Sequence, residues 1–221
     1  AALPVPSESP PTAAQGDGLP SGARAGGDFP HELMGGRRLL EAGRVDEART
    51  ALERAKELFP GYAGLDAPGW YLALIYRDEG NLVAAAAELE PIAEINERHL
   101  PANLALADLY AELGSARDEV AALERTLWID PLDLERHLRL ADLYSGLGEW
   151  TSEVRERSAV VALDPVDRAD ALYRLALAQD RAGDAAAARR SVLRALEVAP
   201  HYAEAQDLLL ELRAREQGGD R

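Results

Sequence analysis

The chain has 221 residues, 47% of them hydrophobic, no cysteine and a formal net charge of −15. Without cysteine there are no disulfides, thiolate nucleophiles or cysteine-bound metals. Thirty-nine acids against 24 bases leave no basic stripe for a nucleic acid or an anionic membrane surface, and no apolar run is long enough to insert in a membrane.

Residues 1–28 hold five prolines and five glycines. That composition predicts an extended Pro/Gly-rich N-terminal tail or linker with polyproline character. Leu3 and Val5 are its apolar residues best placed to anchor it in a groove. At roughly 3.1 Å per residue such a tail would reach about 80 Å, enough to touch a neighbouring copy of the chain. Ala1-Ala2-Leu3 suits the mature side of a signal-peptidase cut, which favours a secreted, periplasmic or extracellular setting. Arginine outnumbers lysine, of which Lys56 is the one example, and alanine abounds; both point to a GC-rich bacterial genome.

From Phe29 to Arg215 the sequence is periodic. Gly43, Gly80, Gly114, Gly148 and Gly183 are separated by 37, 34, 34 and 35 residues. Pro60, Pro131, Pro165 and Pro200 each stand 17 residues after one of them, with Glu97 in that place in the second unit. A period near 34 predicts stacked pairs of helices, each pair too small to bury a core alone. The first helix of a unit, helix A, carries Leu-Ala and then Tyr on the same face: Leu72-Ala73 with Tyr76, Leu106-Ala107 with Tyr110, Leu140-Ala141 with Tyr144. Leu175-Ala176 repeats the pair, with Gln179 for Tyr, and the first unit offers only Gly36 and Leu39.

Each glycine is expected to end helix A in a left-handed cap. Asn81, Ser115 and Asp184 follow and are expected to cap helix B; Asp133 and Asp167 are placed to cap later copies of helix A. Apolar stripes run down helix B through Val45, Ala48, Leu52 and Ala55, through Val120, Leu123 and Leu127, and through Ala188, Val192 and Ala195. Pro91 lies inside a helix B and predicts a kink, whereas Pro101 is expected in the first turn of the next helix.

This pattern resembles the tetratricopeptide repeat, whose unit places Leu-Gly/Ala, Tyr, Gly, Ala and Pro at such offsets; Trp150 fills the aromatic position that follows the glycine. The resemblance implies an all-α fold, a right-handed α–α superhelical solenoid of helix hairpins. Its units would span about 29–62, 66–99, 100–133, 134–168 and 169–202. A capping helix over 203–215, with Leu208, Leu209 and Leu212 on one side, and a polar C-terminal tail over 216–221 would follow. The sequence departs from the repeat three residues before Leu, where a large residue is usual. Gly69, Asn103, His137 and Leu172 stand there, with Glu32, four before Gly36, in the first unit.

No constellation for catalysis emerges. His31-Glu32 starts like a zinc-protease helix, but Gly35 stands where the second histidine is needed. His99, His137 and His201 read as surface or helix-end residues. No phosphate loop, metal site or cofactor site is expected, and the chain is read as a non-enzyme.

In tetratricopeptide arrays helix A lines the inner, concave wall, and extended peptides or partner helices lie along it. The corresponding positions are Trp70, Leu104, Leu138 and Tyr173 before the Leu, and Arg37, Leu74, Asp108, Asp142 and Leu177 after it. Arg77 lies one turn further, and Tyr71 sits beside Trp70. This gives an apolar row with Arg37 and Arg77 at one end and acids at the other. Its leucines equally suit the contact between adjacent helices. The family's chaperone-tail subclass, which holds a carboxylate with Lys and Asn, is not supported, because Trp70, Leu74, Leu104 and Asp108 occupy the matching places. The expected function is a scaffold that holds a protein or peptide partner on this wall. Two others stay open: a homopolymer subunit joined through its tail to other copies of itself, and an accessory segment of a larger enzyme.

Overall fold

The computed structural model describes residues 28–219; the expected tail with Leu3 and Val5, and residues 220–221, lie outside them. The described residues form eleven helices and no strand. In chain order these are α1 (Phe29–Glu41), α2 (Val45–Leu58), α3 (Pro68–Asp78), α4 (Leu82–Ile95), α5 (Leu100–Leu113), α6 (Ala116–Ile129), α7 (Leu134–Leu147), α8 (Trp150–Ala162), α9 (Arg168–Arg181), α10 (Ala185–Val198) and α11 (Ala203–Gly219). They pack as successive hairpins, α1 on α2 through α9 on α10. Each hairpin leans on the next through α2–α3, α4–α5, α6–α7 and α8–α9, and α11 covers α10. The main helix–helix contacts all join consecutive helices, which is the topology of a solenoid.

Local chemistry explains the boundaries. All five recurring glycines have φ between 70° and 84°, a region closed to side chains at low cost. At Gly114 the turn is closed by two hydrogen bonds, Gly114 N–H to Ala111 O at 3.1 Å and Ser115 N–H to Tyr110 O at 2.9 Å. The side chains of Asn81, Asp133, Asp167 and Asp184 accept from the backbone N–H three residues on. Ser115 does not: it stands at the N-cap of α6 but makes no capping hydrogen bond. Two caps had no counterpart in the sequence reading, Asp28 on α1 and His99, whose Nδ1 accepts from Ala102 N–H at 3.0 Å. Pro101 lies in the first turn of α5. Pro91 sits within α4, which runs unbroken from Leu82 to Ile95. Ala87 and Pro91 are both exposed, so water can serve the carbonyl that the proline leaves without a donor.

The buried interior repeats the Leu-Ala column. Leu72, Leu106, Leu140, Leu175 and their alanines are at most 5% exposed. The small residue lets helix B approach, and in α1 a glycine is needed, because a Cβ on Gly36 would stand 2.7 Å from Leu52 Cγ. Facing them are Ala48, Leu52 and Ala55 on α2, Leu123 on α6, and Ala188, Val192 and Ala195 on α10. Val45, expected in the α2 stripe, is exposed instead; it is the first residue of its helix and lies before the packed turn. On α11, Leu208, Leu209 and Leu212 are buried against α10, and Leu210 is the one large apolar side chain it leaves exposed among the described residues.

The interior is not apolar throughout, as the sequence pattern implied. Within the α7–α8 hairpin it becomes polar: His137, Glu153, Glu156 and Arg157 are all buried. His137 Nδ1 faces Glu156 Oε2 at 2.7 Å and its Nε2 faces the Pro131 carbonyl at 3.0 Å. His137 is therefore an interior residue, and His99 is a helix-end residue that is also buried; the surface reading fails for both. Ionic ties also join hairpin to hairpin. They pair Arg49 with Glu79, Lys56 with Glu88, Arg117 with Glu149, Arg155 with Glu124, Arg181 with Glu153 and Arg215 with Asp180. Among the described residues no such pair joins α3–α4 to α5–α6.

Candidate functional site

Helix α7 carries an open part of the helix A wall. Leu140, Ala141 and Tyr144 turn inward. Glu135, Leu138, Arg139, Asp142 and Gly146 recur at three- and four-residue spacing and so share another face. With Leu143, Leu147 and the start of α6 (Ala116, Glu119) they line a cleft of about 690 Å³. A second cleft of about 320 Å³ shares Asp142 and Gly146 with the first and continues past Ser145 to Arg157 on α8 and Arg174, Leu177 and Arg181 on α9. The two form one groove with leucines along its floor. Gly146 leaves its centre empty, since a Cβ there would meet nothing within 4 Å.

The rim of the groove is ionic and internally matched. Arg139 donates through Nε to Glu119 at 2.7 Å, through Nη1 to Asp108 at 2.8 Å and through Nη2 to the Ala107 carbonyl at 3.0 Å. Arg157 Nη2 donates to Asp142 at 2.6 Å, and its Nε stands 3.6 Å from Glu153. Arg181 Nη1 reaches the Ser145 hydroxyl at 2.9 Å and both Glu153 oxygens at 3.3 Å. Glu119 and Glu153 are buried, so Arg139 and Arg181 are held in place from below while their outer edges meet the groove, and Arg157 is itself buried beneath it.

The expected wall residues divide between this groove and the helix contacts. Leu138, Asp142 and Leu177 line the groove. Trp70, Leu74 and Arg77 meet Ala105 and Leu109 in a crevice of about 10 Å³, which is essentially filled. Arg37 lies 5.5 Å over the Tyr71 ring and 4.0 Å from Asp66. Tyr173 packs on Tyr202 with ring centroids 5.1 Å apart. Leu104 is half-buried and lines neither cleft. At the acidic end, Asp108 and Asp142 are each ion-paired to an arginine. The sequence reading missed Arg139 and Arg174, which stand immediately before Leu140 and Leu175. Aligning that one further column, with Tyr71 and Ala105 above them, exposes the pair.

On the other side of α7, the Tyr144 hydroxyl donates to Glu124 Oε1 at 2.6 Å while Arg155 lies 5.6 Å over its ring. Burial, and then the bond to Glu124, push the Tyr144 phenol up to about 12. The fold favours the neutral phenol, so this contribution is whole below the ordinary value of 10.0 and is lost as pH climbs from there through about 12. An ultraviolet titration of tyrosinate should therefore show a late-ionising fraction, and Tyr144→Phe should remove one residue from it. A late fraction of unchanged size in that variant would mean that Tyr144 ionises like a free phenol.

Among the described residues no three His, Asp or Glu side chains are grouped to hold a metal ion, and no helix is long and apolar enough to cross a membrane. A family model for the tetratricopeptide repeat matches residues 170–200, the α9–α10 hairpin. A search of curated protein sequences found no match. Solved structures do match. YrrB, described as a tetratricopeptide-repeat protein with an unusual peptide-binding site, is 16% identical over 81% of this chain and 91% of its own, with a TM-score of 0.53. A crystal structure of MamA is 18% identical over 76% of this chain and 90% of its own, with a TM-score of 0.50. A tetratricopeptide repeat protein from Parabacteroides merdae ATCC 43184 is 17% identical over 83% and 72%, also with a TM-score of 0.50. At such identities the likeness speaks for the fold. Taken with the glycine turns and the Leu-Ala column, it shows that the chain has the tetratricopeptide-repeat fold, with the family model itself matching the α9–α10 hairpin.

Proposed function

We propose that the protein is a non-enzymatic interaction scaffold that holds an extended peptide of a partner protein in the α7 groove. The observation that carries this reading is the groove itself: leucines along its floor, arginines fixed at its rim and an empty centre at Gly146. Apolar side chains of a peptide would settle on Leu138, Leu143 and Leu147. Its backbone carbonyls or carboxylates would meet the outer edges of Arg139 and Arg181, which are already oriented by buried acids. The peptide-binding site in the description of YrrB is consistent with such a use of the fold.

Gly146 offers a clean test. It lies in a helix, is exposed and has open space around it. Gly146→Trp should fill the groove while leaving helix stability equal or up to about 1 kcal/mol higher. Peptides selected from a displayed random library against the wild-type chain are expected to bind Gly146→Trp at least about tenfold more weakly. Selected peptides that bind both proteins equally, with equal melting, would place the site elsewhere.

A further inference from the structure

Two seams on the helix B side of the array are built on the same plan and filled differently. Between α6, α7 and α8 the Tyr144–Glu124 pair receives a guanidinium: Arg155 stacks on the ring, donates to Glu124 at 3.1 Å and reaches the Tyr144 hydroxyl at 3.3 Å. One hairpin earlier, between α4, α5 and α6, the Tyr110 hydroxyl donates to Glu90 across the same separation of 20 residues. The residue eleven after Tyr144 is Arg155; eleven after Tyr110 it is Ala121. The missing side chain leaves a cleft of about 740 Å³ where its counterpart is occupied.

The walls of that cleft are suited to a cation. Glu90, Glu94, Glu97 and Asp118 line it, and none has an ion-pair partner among the described residues. Its one cationic wall residue, Arg125, is engaged through Nε by Asn103 Oδ1 at 2.6 Å. Trp128 stands at its rim 89% exposed, where the next hairpin has Ala162. An exposed tryptophan beside an acidic recess offers a ring face to a cation and to the chain that carries it.

We propose that this cleft binds the guanidinium of an arginine in an extended peptide segment of a partner protein. The arginine takes the place that Arg155 takes one hairpin later, stacked on Tyr110 and bonded to Glu90. Arginine is preferred to lysine, because a planar fork can stack and donate at once, whereas an ammonium is a hydrated point charge. A second copy of the chain is the rival source. Arg190 and Arg194 on α10 lie four residues apart and have no ion-pair partner among the described residues. They line a recess of about 550 Å³ of their own, and a side chain set in one recess reaches poorly into another.

The test uses the full chain and three synthetic probes: a blocked glycine-spaced peptide with three arginines, its lysine twin and its citrulline twin. Calorimetry should show the arginine peptide bound at least about fivefold more tightly than the lysine twin, and citrulline should abolish binding. Ala121→Arg changes an exposed helix position to a good helix former. It should place the chain's own guanidinium in the cleft, weaken the peptide by about tenfold or more and leave melting unchanged. Glu90→Gln should weaken it by about tenfold without filling the space. Gly146→Trp should leave it untouched, which separates this site from the α7 groove. Equal binding of the arginine and lysine peptides would mean bulk acidity and overturn the proposal, as would unchanged binding by Ala121→Arg. Self-association in sedimentation that Arg190→Ala with Arg194→Ala abolishes would overturn it in favour of the second copy.

Discussion

Glu153→Ala is expected to lower the stability of the array by about 3–5 kcal/mol. The Glu153 side chain is 2% exposed and sits against Arg157, itself 7% exposed, and against Arg181. Removing the carboxylate leaves a buried guanidinium with Asp142 as its remaining charged partner, and that desolvated charge carries most of the cost. Asp142 supplies the control. It bonds the same arginine at 2.6 Å, but its side chain is 69% exposed, so water replaces it and Asp142→Ala should cost about 1 kcal/mol or less. Urea unfolding of both variants measures the difference: the Glu153→Ala midpoint should fall well below that of Asp142→Ala, with similar slopes. Equal costs would show that burial of the pair is not what matters.

Leu106→Ala is the second large effect, at about 2–5 kcal/mol. Leu106 is fully buried in the apolar cluster that includes Ala107, Leu123 and Leu140. It belongs to a middle hairpin, so the void lies where two neighbouring hairpins borrow each other's surface. Stability in a solenoid is a sum of units and their contacts, and a weakened middle unit also loosens both contacts. Leu113, at the end of the same helix and 37% exposed, should cost about 1 kcal/mol or less when changed to Ala. A comparable loss at both sites in denaturant unfolding would count against a packed interior at Leu106.

The fold was legible because it is written several times over. The glycine turns, the Leu-Ala column and the acidic caps each follow from backbone geometry local to a few residues, and a column read in one hairpin predicts the next. Ser115 shows the limit, since a suitable residue at the N-cap still made no bond. The groove was legible only in part. Leu138, Asp142 and Leu177 were placed on the wall, but Arg139, Arg157 and Arg181 were not, because partners 15–32 residues away help to hold them. The polar layer was invisible for the same reason: His137, Glu153, Glu156 and Arg157 look like ordinary surface residues until α7 and α8 face each other. Trp70 and Leu74 read as groove residues yet fill a helix contact, since position on a face does not reveal how far the next helix has closed over it.

The ties between hairpins bear on how the whole array bends. Most are at least partly open to solvent, so each is worth little to folding and is weakened by salt. Spanning successive joints, they act instead as stays that resist opening of a spring. The joint between α3–α4 and α5–α6 has no ion pair among the described residues, and there packing and the neutral Tyr110 hydroxyl bonded to Glu90 oppose flexure. In dilute buffer the molecule is therefore most compliant at that joint. As ionic strength rises the other stays slacken, and its curvature becomes evenly soft along its length.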